Sequence, residues 1–181
     1  MAQYNGYVDV PHGSYDEWRN ATLGNGYDVD YYAGDQCWDY PALLYHQYGL
    51  VLITKAGGGS AQDCWLVSRQ ANSRPPFESI DGVANIKRGD IVVFGGGLFG
   101  HIAFADEDYH GGTRLWCLGQ NQKGNGTGYP VTRDNLFLGD FLGIFRNTNW
   151  TDSPTPPQPE EKKKNHKFPW AIALHHWYNK R

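Results

Sequence analysis

Cys37 and His101 are the residues whose types and spacing best suit nucleophilic catalysis. Cys37 stands at the predicted start of a helix, where the positive end of the helix dipole favours a thiolate. His101 opens an apolar strand after a glycine-rich turn, so its ring can project from a sheet edge toward a helix packed on that sheet. A thiolate with a histidine base can cleave an amide bond through a thioester. Cys37 is therefore a candidate nucleophile and His101 a candidate general base, and the alternative is a buried, inert thiol with an unrelated histidine.

The other two cysteines are weaker candidates for the nucleophile. Cys64 precedes a tryptophan and could also open a short helix, whereas Cys117 lies inside an apolar strand and is expected in the core. Three cysteines cannot all pair within one chain, so at least one thiol is free. No pair of Cys and His residues has the spacing of zinc ligands. A buried, inert thiol is the alternative for any cysteine considered alone.

A loop of alternating carboxylates runs into the predicted Cys37 helix and suggests a cation site. Counted from its first aspartate, positions 1, 3, 5, 7 and 12 are Asp28, Asp30, Tyr32, Gly34 and Asp39. An EF-hand loop draws its oxygen ligands from these positions, although Ala33 replaces the usual glycine here. Converging carboxylates repel one another unless a hard cation neutralises them. We predict a structural Ca²⁺ beside the nucleophile; the alternative is an exposed acidic turn that caps the helix.

A small set of helices and strands must position these residues. The pattern predicts a helix over residues 36–48, with Asp35 as its N-cap and Gly49 beyond its end. Pro41 is expected to bend the first turns of that helix. Residues 64–70 suggest a second, short helix. Apolar runs between glycine-rich turns predict four strands, at 90–94, 101–105, 113–118 and 141–146. Helices followed by an antiparallel sheet are typical of an α+β fold.

Composition limits the classes of protein to which this chain can belong. Hydrophobic residues make up 40% of the 181 residues and charged residues 19%, as in a soluble domain with one core. The formal charge of −3 argues against a nucleic-acid-binding surface, which is normally basic. No apolar run approaches the roughly 18 residues of a membrane-spanning helix. The first residues lack the features of a secretory signal, so we expect folding in a cytoplasm.

The C-terminal region differs from the rest of the chain. We predict a catalytic domain over residues 1–149, a Pro/Glu/Lys-rich linker over 150–164 and a short basic and aromatic tail over 165–181. Aromatic and basic side chains suit attachment to anionic wall polymers or to a membrane surface. The alternative is a solvated tail, or one that packs on its own or a neighbouring domain.

Three segments, at residues 36–39, 87–94 and 100–105, resemble the CHAP family of cysteine, histidine-dependent amidohydrolases and peptidases. The resemblance covers about residues 10–148 and implies a papain-like domain with N-terminal helices packed on a small antiparallel sheet. Members of the family cleave amide bonds in the peptide part of bacterial peptidoglycan, and the resemblance implies that Cys37 is the nucleophile and His101 its general base. Without a secretion signal, the chain resembles a phage endolysin, made in the host cytoplasm and acting on a wall expected to be Gram-positive. A virion-associated tail lysin and a non-catalytic wall-binding module are the alternatives.

The resemblance also implies a third member of the catalytic group. Many CHAP domains have Glu-Gln-Asn on the strand after the histidine strand, and residues 119–121 correspond to it here. The glutamate position is Gly119, which has no side chain to orient the imidazole. Strand alternation places residue 121 on the same face, so Asn121 is predicted to accept the His101 N–H. The alternative is that Asn121 only turns the chain.

Two further assignments depend on the mechanism and on the resemblance. Gln36 is predicted to join the backbone N–H of Cys37 in an oxyanion hole, although it could equally be an exposed residue without a role. Calcium-binding CHAP domains have a similar Asp-x-Asp-x-Tyr loop leading to Cys-x-Asp. The resemblance implies that the carboxylates of that loop bind the ion, and that Tyr32 and Gly34 contribute backbone carbonyls.

Overall fold

The computed structural model describes residues 2–56, 59–122 and 129–150. The described residues form an α+β fold, as predicted, in which most helical segments precede the strands of the main sheet. The helices are α1 Tyr15–Thr22, α2 Asp39–Gln47, α3 Asp63–Leu66 and α4 Arg69–Asn72. The strands are β1 Gln3–Asn5, β2 Gly26–Asp28, β3 Phe77–Ile80, β4 Ile91–Phe94, β5 His101–Ala105, β6 Arg114–Gly119, β7 Thr132–Phe137 and β8 Phe141–Asn147.

Six of these strands form one antiparallel sheet in the order β3-β8-β4-β5-β6-β7. His101 is the first residue of the central strand β5 and pairs with Phe94 at the end of β4. On the other side of β5, Phe104 pairs with Leu118 of β6. The short strands β1 and β2 pair in parallel, apart from the main sheet. His101 therefore stands where β5 emerges from a glycine-rich turn.

Both faces of the central strands are covered, which explains why their sequences are continuously apolar rather than alternating. In β5, Ile102 and Phe104 belong to the core cluster shared with the helices. Ala103 and Ala105 belong to a second cluster on the opposite face. On the helical side, the Tyr40 ring of α2 lies 4.9 Å from the Phe104 ring, measured between centroids. This contact packs the helix that follows Cys37 onto the strand that carries His101.

Helix α2 begins at Asp39 instead of residue 36, and Asp35 is not its N-cap. Residues 36–38 form a turn because the Asp39 carboxylate accepts the backbone N–H of Gln36 at 2.7 Å. Pro41 is therefore the third helical residue, where an α-helix has no internal partner for the backbone N–H, so the proline costs no hydrogen bond. The predicted end is confirmed: the N–H of Gly49, with φ of 67°, donates to the His46 carbonyl at 2.8 Å.

The predicted boundary with the linker falls at a residue that packs against the domain. The Trp150 indole N–H donates to the His12 carbonyl at 2.8 Å. Its ring lies 5.6 Å from that of Tyr15 and 6.1 Å from that of Phe104. The packed part of the chain thus includes Trp150, while residues 151–181, which hold the predicted linker and tail, lie outside the described residues. Within the parts described, no helix is both long enough and apolar enough to cross a membrane.

Candidate active site

Gln120 ties the end of β6 to the segment that leads into Cys37. Its side chain is fully buried. Its Oε1 accepts the Tyr27 N–H at 2.8 Å, and its Nε2 donates to the carbonyls of Tyr27 at 2.9 Å and Gln36 at 3.0 Å. A buried amide that satisfies three backbone groups fixes their relative positions, because leaving any of them unpaired is costly. The sequence analysis gave Gln120 no role; an uncharged polar residue at a strand end was its only signal.

Cys37 follows Gln36 and lies against β5. Burial raises the pKa of its thiol to about 11, and the nearby Asp39 carboxylate adds to this effect. The backbone N–H groups of Ile102, Cys37 and Trp38 face the sulfur and lower the pKa, but by less. Cys37 lies two positions before the first helical residue, so the dipole of α2 does not lower the pKa of the thiol enough to offset the effect of burial. The predicted resting thiolate is therefore not what the structure favours: the resting thiol is protonated at neutral pH.

His101 is also uncharged at rest. Burial lowers the pKa of its imidazole to about 4, and the Gln122 side chain partly opposes this shift. The ring nitrogen Nε2 is buried without a hydrogen-bond partner among the described residues. The Cys37 sulfur lies near the backbone N–H of Ile102, the residue that follows His101, and no hydrogen bond joins the sulfur to the His101 ring among the described residues. Catalytic hydrogen bonds commonly tighten only when substrate binds, so the roles assigned to this pair stay predictions.

Asn121 makes no hydrogen bond to His101 among the described residues, unlike the bond that strand alternation predicted. Strand β6 ends at Gly119, and Asn121 has a left-handed backbone with φ of 51°. Alternation therefore stops before residue 121. The Asn121 Nδ2 donates to Gln36 Oε1 at 3.2 Å, and its Oδ1 is buried without a partner in the described chain. The next residue, Gln122, is the one whose side chain interacts with the His101 imidazole and raises its pKa.

The Gln36 side chain is engaged within its own loop. Its Nε2 donates to the Ala33 carbonyl at 2.7 Å, and its Oε1 accepts from Asn121. The bond to Ala33 uses one of the two hydrogens of this amide, so only the second could serve an oxyanion. The backbone N–H of Cys37, in contrast, already faces the sulfur. The oxyanion role of Gln36 stays a prediction, and the backbone donor is the better placed of the two.

The structure brings the three predicted metal-binding carboxylates together. One oxygen from each of Asp28, Asp30 and Asp39 lies within 4.8 Å of the other two. Burial raises the pKa of Asp39 to about 7, and the charges of Asp30 and Asp28 add to the effect, although backbone N–H groups of Gln36 and Val29 oppose it. Asp28 Oδ1 is buried and has no partner among the described residues. The donor set fits a hard cation, which prefers carboxylate and carbonyl oxygens.

The loop between these carboxylates is tightly curled. Tyr31, Ala33 and Gly34 have φ values of 60°, 63° and 68°, in the left-handed region. Tyr32 donates its backbone N–H to Asp30 Oδ1 at 2.9 Å, and its ring is 76% exposed. The exposed ring leaves the backbone carbonyl as the group by which Tyr32 could bind an ion. The predicted carbonyl ligands at residues 32 and 34 stay predictions.

Asp35 is a further carboxylate near this loop. It is buried, its Oδ1 accepts the Gln3 side-chain amide, and its Oδ2 has no partner in the described residues. Burial raises the pKa of Asp35, and the charge of Asp28 contributes in the same direction. The sequence predicted Asp35 as the N-cap of the helix, but the structure buries its carboxylate near Asp28 instead. The acidic residues close to it in the sequence were the signal that it could belong to the carboxylate loop.

Comparison with known proteins defines the class of this chain. Residues 25–121 match the model of the CHAP domain, so the chain belongs to the CHAP domain family. Across 124 residues it is 32% identical to a protein named D-alanyl-L-alanine endopeptidase from Streptococcus phage B30. That match covers 66% of this chain but 27% of the phage protein. The chain thus spans about a quarter of this relative's length.

A solved structure supports the fold. The endolysin LysIME-EF1 superposes with a TM-score of 0.59 at 21% sequence identity, covering 75% of this chain and 64% of that one. The likeness confirms the predicted CHAP-type fold, in which short helices pack on an antiparallel sheet. At this level of identity it carries information on the fold alone.

Proposed function

We propose that this chain is a cysteine-dependent peptidoglycan hydrolase of the phage endolysin type, which cleaves an amide bond in the peptide part of the bacterial wall. The observation that carries the proposal is that Cys37, two residues before α2, lies against β5, the strand that begins at His101, within a CHAP domain. The relative from Streptococcus phage B30 is named an endopeptidase, and the solved structure of similar fold is named an endolysin; both names support the same class. A virion-associated lysin would use the same chemistry. A non-catalytic wall-binding module would have no need of the pair.

The resting state sets how the chemistry begins. Both side chains are neutral, because burial raises the pKa of Cys37 and lowers that of His101. His101 therefore removes the thiol proton as the sulfur attacks the scissile carbonyl, giving a tetrahedral oxyanion near the Cys37 backbone N–H. The imidazolium then returns the proton to the leaving amine, and the C–N bond breaks to leave a thioester. Water, deprotonated by His101, hydrolyses the thioester and regenerates the thiol.

Replacing Cys37 with alanine tests this proposal directly. Cys37→Ala should abolish the clearing of purified Gram-positive walls in a zymogram while the thermal melting curve stays two-state. Cys64→Ala is the matched control, because it removes a fully buried thiol from α3 and should retain clearing. Clearing by folded Cys37→Ala would sink the assignment. Absence of clearing by the wild-type protein on walls from a panel of bacteria would favour a binding module.

We also propose which bond is cut, on the basis of the relative's name. The phage B30 protein is named for cleavage between D-alanyl and L-alanine residues, and we assign the same endopeptidase specificity to this chain. Mass spectrometry of digested walls separates the options. A new D-alanine C-terminus together with a new N-terminal L-alanine, on peptides still attached to sugar, supports endopeptidase action, whereas peptides detached from the sugar without a new D-alanine C-terminus would show amidase action at the sugar–peptide junction.

We further propose that Asp28, Asp30 and Asp39 hold a structural Ca²⁺. The ion would neutralise the converging carboxylates and tie the loop to the start of α2, next to Cys37. Chelation should then lower the melting temperature and wall lysis together, and Ca²⁺ should restore both better than Mg²⁺. At a large excess of Ca²⁺, stabilisation of about 2–3 kcal/mol is expected.

Matched variants test the calcium proposal. Asp30→Asn should weaken the response to Ca²⁺, because it removes one of the three carboxylates. Asp81→Asn, which alters an exposed carboxylate paired with Arg69, should leave the response unchanged. The site is refuted if exhaustive chelation changes neither melting nor lysis.

A further inference from the structure

Gly119 has no side chain, and the volume that a side chain would occupy there is filled by Gln122. Strand β6 ends at Gly119, whose missing side chain would lie on the face of the sheet shared by Ala103 and His101. A Cβ built at Gly119 would approach the Ala103 Cβ to 3.0 Å and both Cδ and Oε1 of Gln122 to 3.2 Å. The Gln122 amide therefore occupies the volume that a side chain at position 119 would use.

The orientation of this amide is fixed by two backbone carbonyls. Gln122 Nε2 donates to the Thr132 carbonyl at 2.6 Å and is 3.4 Å from the Cys117 carbonyl. Because the NH₂ group is directed at these carbonyls, Oε1 must point the other way. Oε1 is buried and has no partner of ordinary hydrogen-bond geometry among the described residues.

The His101 ring presents the complementary atom. Its Nε2 is likewise buried and lacks a partner of ordinary geometry in the described chain. The two buried groups have opposite hydrogen-bonding character, a potential N–H donor and an amide acceptor, and the Gln122 side chain acts on the His101 imidazole. A buried polar atom without a partner costs free energy, so a pair of such atoms in a native structure indicates a functional role.

We propose that Gln122 is the positioning residue for His101, with its Oε1 accepting the Nε2 proton of the imidazole in place of a side chain at residue 119. This inference rests on the proposed hydrolase function. A ring that keeps its proton on Nε2 leaves the Nδ1 lone pair available to take the proton of Cys37. Gln122 does not touch substrate, so it acts through His101.

The electrostatics agree with this geometry. Gln122 raises the pKa of His101 against burial, as an acceptor of the ring N–H must, and no carboxylate among the described residues contributes to the shift. In the resting structure, this contact does not have the geometry of an ordinary hydrogen bond. We expect it to shorten when His101 becomes an imidazolium, since a charged donor strengthens the bond.

Removing the acceptor while keeping the shape is the first test. Gln122→Met should lower kcat for wall lysis by about 100-fold, as for a misplaced catalytic group, with little change in KM. Gln70→Met is the control, because it makes the same change at an exposed position of α4 and should leave kcat unchanged. Wild-type kcat in a folded Gln122→Met protein would overturn the inference.

A reciprocal exchange between residues 119 and 122 gives a sharper test. Gly119→Glu should lower activity, because the new side chain collides with the Gln122 amide. Gln122→Ala should also lower it, through loss of the acceptor. The double variant Gly119→Glu with Gln122→Ala should exceed Gln122→Ala by at least about 10-fold, because a carboxylate then enters the emptied space. A double variant no more active than Gln122→Ala would count against the assignment.

A spectroscopic measurement separates this inference from the proposed function. In the Cys37→Ala variant of the 181-residue chain at constant Ca²⁺, ¹⁵N spectra of the His101 ring should show the proton on Nε2. Adding Gln122→Met should mix the tautomers and lower the pKa of His101 by about one unit. Identical spectra in both proteins would overturn the positioning role. If the spectra differ but the wild-type protein fails to lyse any wall, the proposed function fails and the inference stands.

Discussion

At the scale of single residues, burial decides the charge of the catalytic pair. Residue types alone identified Cys37 and His101, because thiol and imidazole are the groups that nucleophilic chemistry requires. Their resting protonation could not be read from the sequence. Three backbone N–H groups favour a Cys37 thiolate, yet desolvation has the larger effect on its pKa. The same desolvation keeps His101 neutral. Burial of a particular side chain depends on tertiary packing that residue spacing does not reveal.

The lowered pKa of His101 makes stability depend on pH. The imidazole titrates near 6.5 in the unfolded chain and near 4 in the folded protein, so the unfolded state binds the proton more readily. The stabilising contribution is complete above pH 6.5 and is lost as pH falls from 6.5 to 4. Relative to His101→Gln, the wild-type free energy of unfolding should fall by up to about 3 kcal/mol over this range.

Urea denaturation between pH 7.5 and pH 4 measures the difference, with calcium held constant. His110→Gln changes an exposed histidine and serves as the control. Parallel pH profiles for the wild-type protein and His101→Gln would contradict the prediction.

At the scale of secondary structure, the sequence predicted the elements with strong patterns. Four of the described strands coincide with predicted apolar runs, because strands covered on both faces need continuous apolar residues. Helix α1 was not predicted, although the sequence contains its N-cap signal, a serine followed three residues later by a glutamate. In the structure, Ser14 Oγ accepts the Glu17 N–H at 3.2 Å. The start of α2 was misplaced by three residues, because Asp39 closes a turn there. The Asp39 carboxylate accepts the backbone N–H groups of Gln36 and Val29, and the apolar pattern of the sequence gives no signal for such hydrogen bonds.

Gly143 in β8 shows how closely α3 packs on the sheet. The position of its missing Cβ is filled by the indole ring of Trp65 in α3. Gly143→Ala should therefore displace Trp65, whose ring centroid lies 5.3 Å from that of Phe145, and lower the free energy of unfolding by about 1–3 kcal/mol. Gly13→Ala is the control: its Cβ would meet only the flexible end of Glu17, and the cost should stay within about 0.5 kcal/mol. Equal stability of the two variants, measured in urea, would contradict this packing.

At the scale of the whole molecule, contacts between distant parts of the chain close the domain. Asp106, after β5, accepts hydrogen bonds from Tyr15 and Arg19 of α1 and from Arg133 of β7. Trp150 joins the end of the described chain to His12 near its beginning. The sequence placed Trp150 in the linker because a proline-rich segment follows it. A single aromatic residue at a boundary shows no periodicity, so the sequence does not tell whether it packs in the domain or lies in the linker.

Two truncations test where the packed domain ends. A chain ending at Trp150 should melt at the temperature of the 181-residue chain, because the described contacts are retained. A chain ending at Asn149 should lose about 2 kcal/mol in the free energy of unfolding, since the half-buried indole and its hydrogen bond to the His12 carbonyl are removed. Calorimetry at constant Ca²⁺ measures both, and Trp150→Ala in the 181-residue chain is the control for chain length. If the chain ending at Trp150 melts normally but binds walls less well, residues 151–181 supply wall affinity. Equal melting of the two truncated chains would place the end of the packed domain before Trp150.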